Sequence, residues 1–276
     1  MSMTICHNHS STVSRRAISE SKLPGHWLLA KMGKRVLRPG GLELTKKLLA
    51  ELAISPDDDV VEFAPGLGVT ARLALAHRPH SYTAIERDPD AAAMVELYLT
   101  QLHQRCIVGT AEETGLVDQT ASVVYGEAML SMQPAGTKVR IVSEAARLLR
   151  TGGRYGIHEL CLVPSNVDKT VRDAIQKDLS GEIHAGVRPL TIDEWRALLA
   201  AADLNVIAQH TAPMHLLEPA RLVKDEGLLR ALRFVWNVAT HAEARRRVLM
   251  MRKVFRKYDR HLAAIVLVAT KSTDRS

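Results

Sequence analysis

The chain has 276 residues, of which 46% are hydrophobic and 24% charged, a composition typical of a folded globular protein with one large domain. No apolar run reaches the roughly 20 residues of a membrane-spanning helix, and the N-terminus lacks a signal-peptide pattern, so we predict no membrane span and a cytoplasmic protein. The formal net charge is +7, with basic residues 1–56 and 221–260 on either side of an acidic middle. Basic ends attract nucleic acid, anionic lipid or acidic substrates, but they also solvate outer helix faces, and the sequence favours neither interpretation.

The three cysteines, Cys6, Cys106 and Cys161, are odd in number and far apart. This spacing predicts free thiols in a reducing compartment and no disulfide framework. A Cys-His-Asn-His stretch at residues 6–9 has metal-ligand residue types, but it lies in a polar, Ser-rich segment over residues 1–20 that we predict to be disordered. We therefore predict no metal site.

Elements along the chain indicate the fold class. Residues 21–56 are predicted to form a helical lead-in, and short apolar strands then alternate with helices. The predicted strands are 59–63, 81–86, 105–108, 122–125 and 154–158, and the predicted helices are 70–77, 89–102 and 137–149. Because such alternation is typical of βαβ units, we predict an α/β fold with a doubly wound, mostly parallel sheet.

The order of elements changes after residue 158. Thr191 and Glu194 form a capping-box pattern, which predicts a helix over 191–202. A strand at 205–209, a helical region at 220–258 and a last strand at 262–270 follow. We predict that residues 57–276 form one α/β domain, in which a helical insertion around 214–258 and the lead-in make a cap.

A glycine-rich turn follows the first predicted strand. Gly66 and Gly68 stand between that strand and a helix, so bare backbone N–H groups can approach a ligand there. Glu86 ends the next strand, where a carboxylate can accept both hydroxyls of a ribose. Because Gly66, Gly68 and Ala71 also satisfy the dinucleotide-binding pattern, an NAD(P)-dependent oxidoreductase is the alternative interpretation.

Three features favour a different ligand over a dinucleotide. Glu62, inside the first strand, would repel a pyrophosphate but attract the amino group of a methionine moiety. The segment 109–113 follows the third strand, and its side chains and backbone N–H groups can form hydrogen bonds with the edge of an adenine ring. The glycine motif also begins some 60 residues into the chain, behind the helical lead-in, whereas most nicotinamide domains begin near their first strand.

With these motifs the sequence resembles the class I S-adenosylmethionine-dependent methyltransferases, in particular the type 11 group that includes ubiquinone and menaquinone biosynthesis enzymes. The resemblance implies a seven-stranded, mostly parallel Rossmann-like sheet, S-adenosylmethionine as cofactor, and a methyltransferase domain over 57–276. It departs from the family pattern at Thr110, where many members have Asp, and at Ala64, which replaces a glycine. The positions that it carries to the cofactor are Glu62, Ala64, Gly66, Gly68, Glu86, Arg87, Ala111, Glu112 and Glu127.

Two histidines are candidates for removing a proton from the methyl acceptor. His158 ends the fifth predicted strand, at the edge where acceptors bind in this family, and is the first candidate. His184 lies in the predicted loop 181–188, which could cover the acceptor as a lid, and is the second candidate. The alternative for His158 is a structural histidine that is hydrogen-bonded within the fold, and the alternative for the loop 181–188 is a simple connection between elements.

The two end segments suggest the kind of acceptor. Trp27 and Met32 in the lead-in, with Phe234 and Trp236 in the insertion, can form an apolar pocket beside a surplus of positive charge. We therefore predict a small, partly apolar acceptor that carries an acidic group. The arginine run 245–247 favours an exposed helix face, because no aromatic-rich RNA-binding pattern accompanies it, and an RNA-modifying methyltransferase remains an alternative.

Overall fold

The structure is a computed structural model that describes residues 22–272. The tail predicted for residues 1–20, with Cys6 and its neighbours, lies outside the described residues. Cys106 and Cys161 are free thiols. Within residues 22–272 no helix is both long and apolar enough to cross a membrane.

The strands form one mixed sheet whose main path follows the order β3-β2-β1-β4-β5-β8-β7. Strands β1 to β5 are parallel to one another, β8 runs antiparallel between β5 and β7, and the two-residue β6 pairs in parallel with the end of β5. This confirms the predicted α/β fold, with the seven expected strands on the main path and β6 as an eighth. The strand bounds are β1 Asp59–Phe63, β2 Ser81–Glu86, β3 Gln104–Val108, β4 Ala121–Glu127, β5 Leu149–Leu162, β6 Leu190–Thr191, β7 Leu204–Pro213 and β8 Leu262–Lys271.

Helices connect and cover the sheet. The capping box predicted at Thr191 is present, since its hydroxyl accepts from Glu194 N and the Glu194 carboxylate accepts from Thr191 N. The predicted helical region at 220–258 is three helices, and a helix that the sequence analysis missed precedes β6. The helix bounds are α1 Gly25–Lys31, α2 Gly41–Leu52, α3 Val69–Leu75, α4 Pro89–Glu96, α5 Ala135–Leu148, α6 Lys169–Ile183, α7 Ile192–Ala200, α8 Pro219–Glu226, α9 Leu228–Thr240 and α10 Ala242–Lys257.

Strand β8 shows how the sheet is buried on both faces. Its side chains alternate, so that Ala264, Val266 and Val268 pack in a core with α2, α3 and α4. Ile265 and Leu267 pack in the opposite core with α5 and α7. A strand covered on both faces reads as a continuous apolar run, which is why this segment was recognisable from the sequence.

A third core joins the lead-in to the insertion and includes Leu160, Leu162 and Leu262 from β5 and β8. It is formed mainly by apolar residues of α1, α6, α8, α9 and α10, which together we call the cap. Glu226 Oε1, at the end of α8, accepts from the backbone N–H groups of Arg35 and Val36, both at 2.8 Å. Asn237 on α9 donates to the Met32 carbonyl at 2.9 Å. These contacts connect the two end segments across the fold.

Candidate active site

A cavity of about 640 Å³ opens where β1, β2 and β4 end, between the sheet and the cap. Because the parallel strands end on the same side, residues from separate motifs meet there. The sequence-predicted cofactor residues that line this cavity are Glu62, Ala64, Gly66, Glu86, Arg87, Ala111, Glu112 and Glu127.

The turn after β1 presents backbone to the cavity. Gly66 has a φ of +56°, and a Cβ built on it meets no atom within 4 Å, so open space lies beside its backbone. Gly66 N donates to Glu86 Oε2 and Asp88 N donates to Glu86 Oε1, each at 3.0 Å. Glu86 is thus held in one orientation, while its carboxylate retains lone pairs that can accept from ligand hydroxyls.

Gly68 does not line the cavity, although the sequence pattern predicts it as a cofactor residue. It caps α3 with a φ of +69°, and a Cβ built on it would lie 2.7 Å from Cε2 of Tyr98. The glycine is therefore required by the turn and by the close approach of an aromatic ring, rather than by the ligand.

Glu62 is a buried carboxylate at the floor of the cavity. Its Oε2 accepts hydrogen bonds from the hydroxyls of Tyr82 and Tyr125, the second at 2.6 Å. Burial raises the pKa of Glu62 to about 7, against the two tyrosine hydrogen bonds, which lower it. A cationic group placed beside Glu62 would offset that desolvation and favour the ionised carboxylate.

Glu127, at the end of β4, is the centre of a buried polar network. Its Oε1 accepts from Thr45 Oγ1 at 2.6 Å and pairs with His158 Nδ1 at 2.7 Å. Its Oε2 accepts from Arg38 Nη1 at 2.7 Å and from the Thr70 hydroxyl. Burial alone would raise the pKa of Glu127, but Arg38 and His158 outweigh it and hold the pKa at about 2. The ionised carboxylate of Glu127 therefore connects the lead-in to the sheet through hydrogen bonds with Arg38 and Thr45.

The structure gives His158 a different place from the predicted one. Its side chain is fully buried and does not line the cavity. Its Nε2 contacts the Pro39 carbonyl at 2.6 Å, and its Nδ1 contacts Glu127, so both partners are acceptors. Both ring nitrogens are thus engaged by acceptors inside the fold, so neither is placed to take a proton from a substrate in the cavity.

His184 also lies away from the cavity. It is exposed at the C-terminus of α6, with a φ of +55°, because the segment predicted as a loop begins with the last turn of that helix. From this segment Ile183 and Val187 line the cavity. The segment contributes apolar surface to the site instead of a histidine.

Two residues that the sequence analysis did not select do line the cavity. Arg38 Nε and Nη2 are buried without a hydrogen-bond partner in residues 22–272, so they are free to donate to an anionic ligand group. His26 stands beside Trp27, and burial, followed by the positive charge of Arg87, lowers the pKa of His26. Trp27, its neighbour in the chain, is the available signal for His26, whereas no sequence pattern marks Arg38.

The cap side of the cavity is apolar. It includes Trp27, Leu216 and Phe255 from the two end segments. Phe234 is buried in the cap core behind them. Trp236 was predicted to join this pocket, but it lies on the outer side of α9 and is 70% exposed.

The sheet order and the cavity at the strand ends define a Rossmann-like α/β enzyme domain. Residues 61–157 match the model of the type 11 methyltransferase domain family. An uncharacterized protein of Haemophilus influenzae is 30% identical to the chain over 252 residues, which cover 90% of this chain and 98% of that protein.

Solved methyltransferase structures share the fold. Phosphoethanolamine N-methyltransferase 2 of Haemonchus contortus, in complex with phosphomonomethylethanolamine and S-adenosylhomocysteine, is similar with a TM-score of 0.68 at 12% identity, over 94% of this chain and 59% of that chain. Geranyl diphosphate C-methyltransferase of Streptomyces coelicolor A3(2) is similar with a TM-score of 0.58 at 16% identity, over 83% of this chain and 77% of that chain.

The chain therefore belongs to the class I S-adenosylmethionine-dependent methyltransferases. The enzyme class predicted from the sequence is confirmed, and the oxidoreductase alternative is wrong. The ubiquinone-like and menaquinone-like subgroup stays a prediction.

Proposed function

We propose that the enzyme transfers the methyl group of S-adenosylmethionine to a small acceptor that has an apolar body and an acidic group. The observation that carries this proposal is that one cavity holds both the cofactor motifs on the sheet and Trp27, Leu216 and Phe255 of the cap. Methyl transfer needs orientation and exclusion of water more than a strong base, and an enclosing cap supplies both. A cytoplasmic location accompanies this proposal as a prediction.

The residues present fit the cofactor. The open space beside Gly66 can take the close approach of a ligand, and Glu86 offers a fixed carboxylate to ribose hydroxyls. We assign Glu62 to the amino group of the methionine part and the free donors of Arg38 to its carboxylate. We assign Ala111, Glu112 and Arg87 to contacts with the adenine ring. Glu127 is assigned to hold Arg38 in position rather than to contact the cofactor directly. When bound, S-adenosylmethionine supplies an electrophilic methyl group on its sulfonium.

The acceptor is proposed to lie between the cofactor residues and the cap. Arg35 lines the cavity and can pair with an acidic group, while Met214, Leu216 and Phe255 contact an apolar body. For an acceptor that loses a proton, we assign proton removal to Nδ1 or Nε2 of His26, in place of His158 and His184. The lowered pKa leaves the His26 imidazole neutral and able to accept.

Calorimetric titration of the full chain with S-adenosylhomocysteine tests the cofactor assignment. We expect binding in the micromolar range with one site per chain, and no heat beyond dilution with NADH. The control is the Glu113→Ala variant, which removes an exposed carboxylate from the same loop region without touching the cavity lining. Absence of binding by a folded protein would contradict the assignment.

Cofactor affinity is expected to depend on pH through Glu62. Because its pKa in the protein is about 7, the carboxylate is largely protonated at low pH and cannot pair with an ammonium group. A bound ammonium favours the ionised form, so affinity for S-adenosylhomocysteine should rise with pH between about 5 and 7, by up to about tenfold per pH unit, and level off above. Titrations across this range in the wild type and in Glu62→Gln measure the slope. A slope that persists in Glu62→Gln would assign the proton to another group.

A further inference from the structure

Helix α9 has two apolar faces, and only one of them is covered. Ala231 and Phe234 pack into the cap core. On the other side Leu229 is 82% exposed and Trp236 is 70% exposed. Three more large apolar residues of the helix also expose over half of their surface: Leu228, Leu232 and Val235.

These exposed residues form a stripe rather than a scatter. At about 100° per residue, positions 228, 229, 232, 235 and 236 fall within roughly one third of the helix circumference. Single exposed apolar side chains are ordinary in proteins, but a contiguous apolar patch marks an interaction site. On the next helix, α10, Leu249 and Met250 are also exposed.

The exposed sides of α9 and α10 also carry cations, and on α9 they stand beside the apolar stripe rather than within it. Arg230 and Arg233 are exposed on α9, and Arg245 and Lys253 are exposed on α10. In the part of the chain that the structure describes, these four side chains make no ion pair within 4 Å. Helix α9 contains no Asp or Glu, and the flanking Glu243 is paired with Arg246 at 2.9 Å. We call the exposed sides of α9 and α10, with the apolar stripe, Leu249, Met250 and the four cations, the outer cap face.

We propose that the outer cap face docks the enzyme on the surface of an anionic lipid membrane. Leucine and tryptophan side chains on one face of a helix enter the boundary between headgroups and acyl chains, while neighbouring arginine and lysine side chains contact lipid phosphates. The arrangement is that of a helix lying in the interface plane. The inference concerns the outside of the cap and does not depend on the acceptor that the cavity takes.

Charge and side-chain chemistry favour lipid over the other occupants. A second copy of the chain, related by a twofold axis, would place the same unpaired arginines against each other. RNA would satisfy the cations, but only Trp236 offers a stacking surface, and Leu228, Leu229 and Val235 would remain against water. An anionic membrane satisfies both the cations and the apolar stripe.

Sedimentation of the full chain with vesicles tests the proposal. The probes are vesicles of equal amounts of phosphatidylcholine and phosphatidylglycerol, and vesicles of phosphatidylcholine alone. We expect binding to the first and at least roughly tenfold weaker binding to the second, with a loss at high salt. The double variants Leu229→Ser/Trp236→Ser and Arg230→Gln/Arg233→Gln should each weaken binding by roughly tenfold or more. All four positions are exposed, so folding should be retained.

The matched control is Leu97→Ser. Leu97 is 79% exposed at the end of α4, on the sheet side of the molecule, and this variant should bind vesicles like the wild type. Equal binding to both vesicle types, or unchanged binding in both double variants, would overturn the proposal. Light scattering that shows a dimer dissociated by Leu229→Ser/Trp236→Ser, without vesicle binding, would assign the face to a second copy instead. Binding of a mixed RNA in place of vesicles, lost in Arg230→Gln/Arg233→Gln, would equally overturn it.

Discussion

Replacement of Glu127 with alanine is expected to lower the free energy of unfolding by about 3–5 kcal/mol, the usual cost of leaving buried partners of a charge without it. The variant would leave the Arg38 guanidinium without its carboxylate and His158 Nδ1 without its partner. Thr45 and Thr70 would also lose their acceptor. The lead-in is connected to the sheet through these four residues, so its docking should weaken with them.

Urea denaturation at neutral pH measures this loss, with Glu113→Ala as the control for removal of an exposed carboxylate. The control should change the unfolding free energy by no more than about 0.5 kcal/mol. Because the pKa of Glu127 is depressed to about 2, its contribution is present above the ordinary glutamate range and is lost as the pH falls toward 2. A Glu127→Ala protein within about 1 kcal/mol of the wild type would show that the network is not important for stability.

Replacement of Glu86 with alanine is expected to cost about 1.5–3 kcal/mol of affinity for S-adenosylhomocysteine, a factor of about 10 to 150. Two effects add in the same direction. The variant removes the carboxylate proposed to accept the ribose hydroxyls, and it releases the backbone N–H groups of Gly66 and Asp88 that this carboxylate orients.

Calorimetry with Glu86→Gln separates the two effects. Glutamine keeps one oxygen to accept from a backbone N–H but loses the charge, so its affinity should fall between those of the wild type and Glu86→Ala. Circular dichroism establishes that each variant is folded before its affinity is compared. Wild-type affinity in a folded Glu86→Ala protein would remove Glu86 from the proposed cofactor site.

The site was only partly predictable from the sequence, because some of its residues are placed by local patterns and others by contacts between distant segments. Glu86 follows from a strand end at a fixed distance from a glycine turn, which is a local pattern. His158 also stands at a strand end, but its partner Pro39 is 119 residues away in the chain, and that contact consumes the nitrogen that would have served as a base. Arg38 and His26 reach the cavity only because the lead-in folds back over the sheet. No spacing of residues in the sequence predicts that the lead-in folds back in this way.

The sequence by itself determined the parts of this protein that depend on neighbouring residues. The bounds of β1 and β2, the capping box at Thr191 and the buried strand β8 follow from apolar runs, turn residues and hydrogen bonds that close within a few positions. Only the tertiary structure decided which surface of each helix packs against the rest of the protein. Helix α6 went unrecognised because few of its residues are fully buried, and these pack in the cap core. Trp236 is predicted to join the pocket because its segment is expected to fold over the active edge of the sheet. Its exposure follows from α9 turning a narrow face, Ala231 and Phe234, toward the core. Periodicity shows that a helix has an apolar side, but the packing of distant segments decides which side is buried.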